Sequence, residues 1–174
     1  MMQFFRIIHL TEKALPEIIH EIKKIKTNFI LEIIKENLGQ KAHFLLAVPA
    51  DFNVDKIKNW QKYLVQGHDY SIFNNKGVHL VNYLKPKQNF NQDYLSMKPA
   101  ITNDTREGFS IQYCFRPQKD IYEINLRVAA SAPNFYRASE IIDQLNLSFK
   151  KDFRIVKPNS LNEGIAHYAY RQFQ

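Results

Sequence analysis

Cysteine is almost missing: Cys114 is the single one in 174 residues, which excludes an internal disulfide and any zinc site built from several cysteines. It falls in a strand-like run, residues 109–115, and reads as a small core hydrophobe rather than a catalytic thiol. Glycine is scarce too. None of the five (Gly39, Gly67, Gly77, Gly108, Gly164) opens a Gly-x-x-x-x-Gly-Lys-Ser/Thr loop, whose backbone amides would cradle phosphates, so the chain alone is not expected to hydrolyse ATP. Long apolar runs are absent as well. The longest, residues 28–34 and 44–48, fall far short of the roughly 18 needed to cross a bilayer. Residues 1–10 lack the basic, apolar and small-residue succession of a secretory leader. A cytoplasmic location without membrane insertion is the expectation.

Metal and catalytic patterns are equally thin. His20-Glu21 lacks the second histidine of an HExxH site and reads as salt-bridged helix surface. His9, His43, His68, His79 and His167 are scattered, with no nucleophile motif beside them. His68-Asp69 could be an oriented acid/base pair, but adjacent strand residues point to opposite faces. No catalytic residue, no metal and no cofactor is therefore expected.

What the chain does contain is a globular composition, 45% hydrophobic and 24% charged, with 13 Phe and 9 Tyr to fill a core or an interface. The formal charge of +7 permits contact with nucleic acid, acidic protein or anionic lipid. Lys and Arg are spread along the chain rather than gathered in one block. Solvated faces explain them, with at most weak, non-specific nucleic-acid binding.

The apolar pattern changes period along the chain. Residues 4–9 (FFRIIH) read as a strand, and Leu15, Ile18, Ile19, Ile22 and Ile25 recur at helical spacing up to about Lys26. Residues 28–36 (NFILEIIKE) fit a continued helix or a strand buried on both faces; the Ile enrichment and the turn at residues 37–40 favour a strand, in a hairpin with residues 42–48. A second helix is expected after Asp51 or Asn53, through about Leu64, followed by a strand at 68–73. That order is βαββαβ, the ferredoxin-like arrangement. It repeats after the turn at residues 74–77: strand 78–84, a weak helix at 91–101, strands 109–115 and 121–129 around a proline turn at 116–120, a helix bearing Ala138, Ile141, Ile142 and Leu145, and a strand at 153–156. The expectation is an α+β chain of two tandem ferredoxin-like units, 1–75 and 76–158, their antiparallel sheets covered by helices, with an extension at 159–174.

Residues 106–113 (REGFSIQY) echo the aromatic strand of RNA-recognition domains, but Phe109, Ile111 and Tyr113 on one face are explained by core alternation. Four segments together carry a different likeness: 5–11 (FRIIHLT), 68–73 (HDYSIF), 107–112 (EGFSIQ) and 125–132 (NLRVAASA). In order, and with the helix and Phe149 that follow, they resemble the region preceding the nucleotide-binding domain in HerA/FtsK-type conjugation and type IV secretion ATPases. The resemblance implies a domain that docks an ATPase subunit onto neighbours or a secretion channel, with protein partners and no catalytic residue. Residues 159–174, with Tyr168, Tyr170, Arg171 and Phe173, resemble the lead-in to such a motor.

A competing class is an RNA-binding or RNA-processing protein, as in the tandem ferredoxin-like CRISPR endonucleases, with His9 or His43 as general base. Those enzymes resemble one another in a glycine-rich loop near the C-terminus, where Gly164 here stands alone.

Overall fold

The computed structural model describes residues 2–8, 14–35, 42–57, 59, 61–67, 76–87, 106–119 and 121–169. The first strand, β1 (Met2–Ile7), leads to helix α1 (Ala14–Lys23), which takes Pro16 in its opening turn, where the missing N–H would be unpaired anyway. Ile18, Ile19 and Ile22 bury its inner face. Lys26, at φ 51°, then turns the chain into β2 (Phe29–Lys35), a strand as the isoleucine-rich reading expects. Strands β3 (His43–Pro49), β4 (Leu64–Gln66), β5 (Val78–Pro86), β6 (Gly108–Gln118) and β7 (Ile121–Ala132) follow. Helix α2 (Phe135–Phe149), strand β8 (Phe153–Val156) and helix α3 (Leu161–Ala169) complete the described chain.

All eight strands lie in a single antiparallel sheet, in the order β4-β1-β3-β2-β6-β7-β5-β8. The first four strands take the spatial order 4-1-3-2, and the last four, counted within their own half, mirror it. The halves join along β2 and β6, from Phe29 opposite Phe115 to Lys35 opposite Phe109. At one end of this seam the Phe29 and Phe115 rings stack, with centroids 4.3 Å apart. Separate sheets would leave two edge strands, β2 and β6, apolar on both faces and with unpaired backbone groups. Their mutual pairing removes both edges, so one sheet forms where the sequence reading places two.

Alternation along the strands divides the sheet into two faces. One is mainly apolar and includes Phe5, Leu31, Leu46, Tyr113, Leu126 and Leu84; α1 and α2 share its core through Ile18, Ile22, Ile141 and Leu145. Helix α2 starts at Asn134, whose Oδ1 accepts from Arg137 N at 3.0 Å. It buries Ala138, Ile141, Ile142 and Leu145, the stripe expected from the sequence.

Two local readings need correction. The helix expected over 51–64 is two 3₁₀ turns, Val54–Ile57 and Gln61–Tyr63, followed by β4. Asn53 Oδ1 accepts from Asp55 N at 2.8 Å, a local turn that competes with a continuous helix, and Ile57 is buried in the first of the two turns. The β6–β7 ladder continues through the expected proline turn: Pro117 pairs with Tyr122 and Gln118 with Ile121, Lys119 turning at φ 40°. Proline is tolerated there because β2 flanks β6 only as far as Phe115. Residues 159–169, within the expected extension, contain α3, which begins with Ser160 Oγ accepting from Glu163 N at 3.1 Å. The strand expected at 68–73 and the helix expected at 91–101 lie outside the described residues. Gly77 opens β5 at φ 153°, and a Cβ there would lie 2.6 Å from the Ala132 carbonyl oxygen, so only glycine fits.

Candidate functional site

The second face of the sheet carries a polar row in which Glu32 of β2, Gln112 of β6, Arg127 of β7 and Tyr83 of β5 stand side by side. All are buried, Glu32 to 1% exposure and Arg127 to 3%. Glu32 Oε1 accepts from Ser110 Oγ at 2.6 Å and from the Tyr168 hydroxyl at 2.9 Å, and Oε2 accepts from Gln112 Nε2 at 3.3 Å. Three donors thus offset the desolvation of a buried carboxylate.

The same row grips the end of α3. Arg127 Nη1 donates to the His167 carbonyl at 2.8 Å, Gln112 Nε2 donates to the Tyr168 carbonyl at 3.2 Å, and the Tyr83 hydroxyl meets His167 Nδ1 at 2.9 Å. A helix leaves its last carbonyls without intrahelical donors, and a cation there also complements the helix dipole. Arg127 and Gln112 supply both. Tyr168 is buried with Ile34, Leu45, Val81 and Ala129 in an apolar cluster of its own. Gln112 Oε1 is buried without a hydrogen-bond partner. The arrangement is a seat for the C-terminal turn of a helix, and its carboxylate serves as an acceptor within that seat.

At the opposite end of β7, a second arrangement fixes the start of α2. The Arg137 guanidinium clasps the buried Glu107 carboxylate, Nε to Oε1 at 2.7 Å and Nη2 to Oε2 at 3.1 Å, and also pairs with Glu140. The Glu107 and Glu140 carboxylates hold the guanidinium pKa above its usual range. Beside this clasp Phe135 and Tyr136 stand 65% and 70% exposed. Glu140 pushes the Tyr136 phenol pKa up. Two large rings left in solvent on a pinned helix end cannot be explained by core packing.

The residues singled out in the sequence fall as follows. Cys114 is buried in a small cluster with Ile30 and Ala47. Glu21 pairs with Lys24 at 2.6 Å on the surface of α1, next to an exposed His20. Phe109, Ile111 and Tyr113 are buried in the helix-covered core, where no base could stack on them. His43 Nδ1 lies 2.8 Å from Arg6 Nη2. A guanidinium only donates, so Nδ1 is the acceptor and the neutral ring carries its proton on Nε2, a poor arrangement for a general base. His9 and His68-Asp69 lie outside the described residues. Among the described residues no group of three or more His, Cys, Asp or Glu is placed to hold a metal, and no helix is long and apolar enough to cross a membrane.

The seat residues Glu32, Gln112 and Arg127 were not singled out by charge or motif chemistry. The available signal was Glu32 itself, a lone carboxylate in the middle of the apolar run NFILEIIKE. What fold and site define is a mixed α+β protein with, among the described residues, one eight-stranded antiparallel sheet and three helices. No protein-family model and no curated protein matches the chain.

Proposed function

We propose that the chain is a non-catalytic interaction and assembly module, built from two ferredoxin-like units fused edge to edge, that serves a DNA-translocating machine of the conjugation or type IV secretion kind. The mirrored 4-1-3-2 strand order supports the two units. In this reading the module docks an ATPase to its neighbours or to the channel. The observation that carries it is the exposed Phe135-Tyr136 pair on the clasped start of α2, since rigid aromatic anchors supply most of the energy of protein interfaces.

The resemblance to the pre-motor region gains a physical sense from the same geometry. In the segment EGFSIQ, Glu107 clasps Arg137 and Gln112 holds the Tyr168 carbonyl; in NLRVAASA, Arg127 holds the His167 carbonyl. These motif residues fix the two places where such a module would be connected. One is the aromatic surface at α2, and the other is the stretch leading toward a motor.

A photo-crosslinking amino acid at position 136, compared with one at exposed Lys56, tests the docking in the native cell. Crosslinks from position 136 to a translocating ATPase or a secretion-channel component, absent from position 56, are expected. Equal products from both positions, or crosslinks to RNA, would reject the reading.

A further inference from the structure

The cations that the sequence scatters are partly regathered by the fold. Lys85 of β5 and Arg154 of β8 face one another across their ladder. Just beyond, Lys87 N donates to the Asp152 carbonyl at 2.8 Å, and Lys87 Nζ donates to the carbonyls of Lys150 at 2.6 Å and Lys151 at 3.2 Å. Lys85, Lys87, Lys150, Lys151 and Arg154 therefore meet at one corner of the sheet, all exposed, with the Asp152 carboxyl beside them.

A cavity of about 80 Å³ opens next to this corner, lined by Tyr83, Leu84, Lys85, Cys114, Arg116, Glu123, Asn125, Leu126 and Arg127. Three of these side chains are cationic and one is acidic. The Glu123 oxygens accept from neutral amides, Gln118 Nε2 at 2.7 Å and Asn125 Nδ2 at 3.2 Å. Arg127, almost fully buried, puts a charge at the cavity that solvent screens far less than those at the rim. A cavity of this size has room for a small oxyanion.

We propose that this corner binds a nucleic-acid strand through its phosphates, with one phosphate seated in the cavity and its neighbours on Lys85, Lys87, Lys150, Lys151 and Arg154. The proposal is independent of the docking surface on α2. A recessed seat flanked by a spread of exposed cations suits a chain that carries one charge per repeat. An anionic bilayer would need apolar side chains to enter it, whereas Ile155, the exposed apolar residue of β8, faces away from Arg154 on the other side of the strand. The exposed rings of Phe135 and Tyr136 lie at the far end of α2, a 15-residue helix about 22 Å long, so bases are not read here. Binding should be strongly salt-sensitive and indifferent to sequence.

The test is fluorescence anisotropy of the full chain with labelled single strands and duplexes of two unrelated sequences at 50 and 150 mM salt. A Lys85→Gln/Arg154→Gln variant removes two exposed corner charges, and Lys56→Gln/Lys76→Gln removes two exposed charges elsewhere. Circular dichroism melts confirm that both variants fold. The corner variant is expected to bind at least about 10-fold more weakly at the higher salt, with a log–log salt slope smaller by about 1.5–2, as for two lost phosphate contacts. The control should lose less than about 3-fold on the same counterion arithmetic. Equal losses in the two variants, no measurable binding, or polyglutamate or phosphatidylserine vesicles competing as well per charge as nucleic acid would each overturn the proposal.

Discussion

Removing one hydroxyl from the α3 seat, by Tyr168→Phe, tests whether the buried row holds the helix through hydrogen bonds or through ring packing alone. The phenylalanine keeps the apolar contacts of a ring that is 1% exposed, so no cavity is created. What disappears is the 2.9 Å donation to Glu32, while those from Ser110 and Gln112 stay in place. A hydrogen bond to a charged group contributes about 1.5–3 kcal/mol. Because α3 sits at the end of the described chain and touches the sheet from one side, the loss should appear first as easier opening of that helix. Amide hydrogen exchange in Leu161–Ala169 should speed up by about 10- to 150-fold, the same energy expressed as an opening constant. If α3 unfolds together with the sheet, Tm should also fall by about 3–12 °C for a chain of this size. Tyr136→Phe makes the same chemical change on an exposed ring and should alter neither quantity. Unchanged exchange in α3 of the Tyr168→Phe protein would refute the reasoning.

Two further outcomes follow from burial. Phe29→Ala at the seam should cost about 3–5 kcal/mol, seen as a lower urea midpoint with one cooperative transition, because the ring is fully buried and stacked on Phe115 across the two halves; separate transitions for the two halves would contradict a single sheet. Burial holds the Tyr113 phenol pKa far above its ordinary value of 10.0. The folded state therefore keeps a proton that the unfolded chain releases above about pH 10, so this contribution is complete below that pH and stability falls by about 1.4 kcal/mol per unit above it. Tyr113→Phe should make that alkaline slope shallower by one proton, measured by denaturant titration at several pH values.

Strand content was legible because alternation and β-branched runs act locally: Phe153–Val156 matches its expected bounds, and Phe29–Lys35, within NFILEIIKE, forms the strand chosen over a continued helix. The joining of β2 to β6 was not legible. Periodicity tells which strands are apolar on both faces, but not which two such edges meet. The second helix failed because apolar spacing over 51–64 was counted without the competing turn that Asn53 offers its own backbone. Helix α3 was overlooked although Ser160 and Glu163 stand at the spacing of a capping box. For the seat, the sequence contained every residue, with Gln112 in EGFSIQ and Arg127 in NLRVAASA, but nothing that joins them, since Glu32, Gln112 and Tyr168 become neighbours only through long-range register, with Tyr168 136 positions from Glu32. The cationic corner was hidden in the same way, its members coming from β5, the end of α2 and β8.

The seam also imposes a schedule on synthesis. Glu32 and Ser110, bonded across β2 and β6, are separated by 78 residues. At about 5–20 residues per second, a ribosome takes roughly 4–16 s to supply β6 after β2 has emerged. During that interval the nascent chain presents FILEIIK as an open strand edge with apolar side chains on both faces, the kind of segment that pairs with whatever strand is nearest. Slow translation between the two strands would lengthen the exposure, and a holding chaperone on the first half would shorten its consequences.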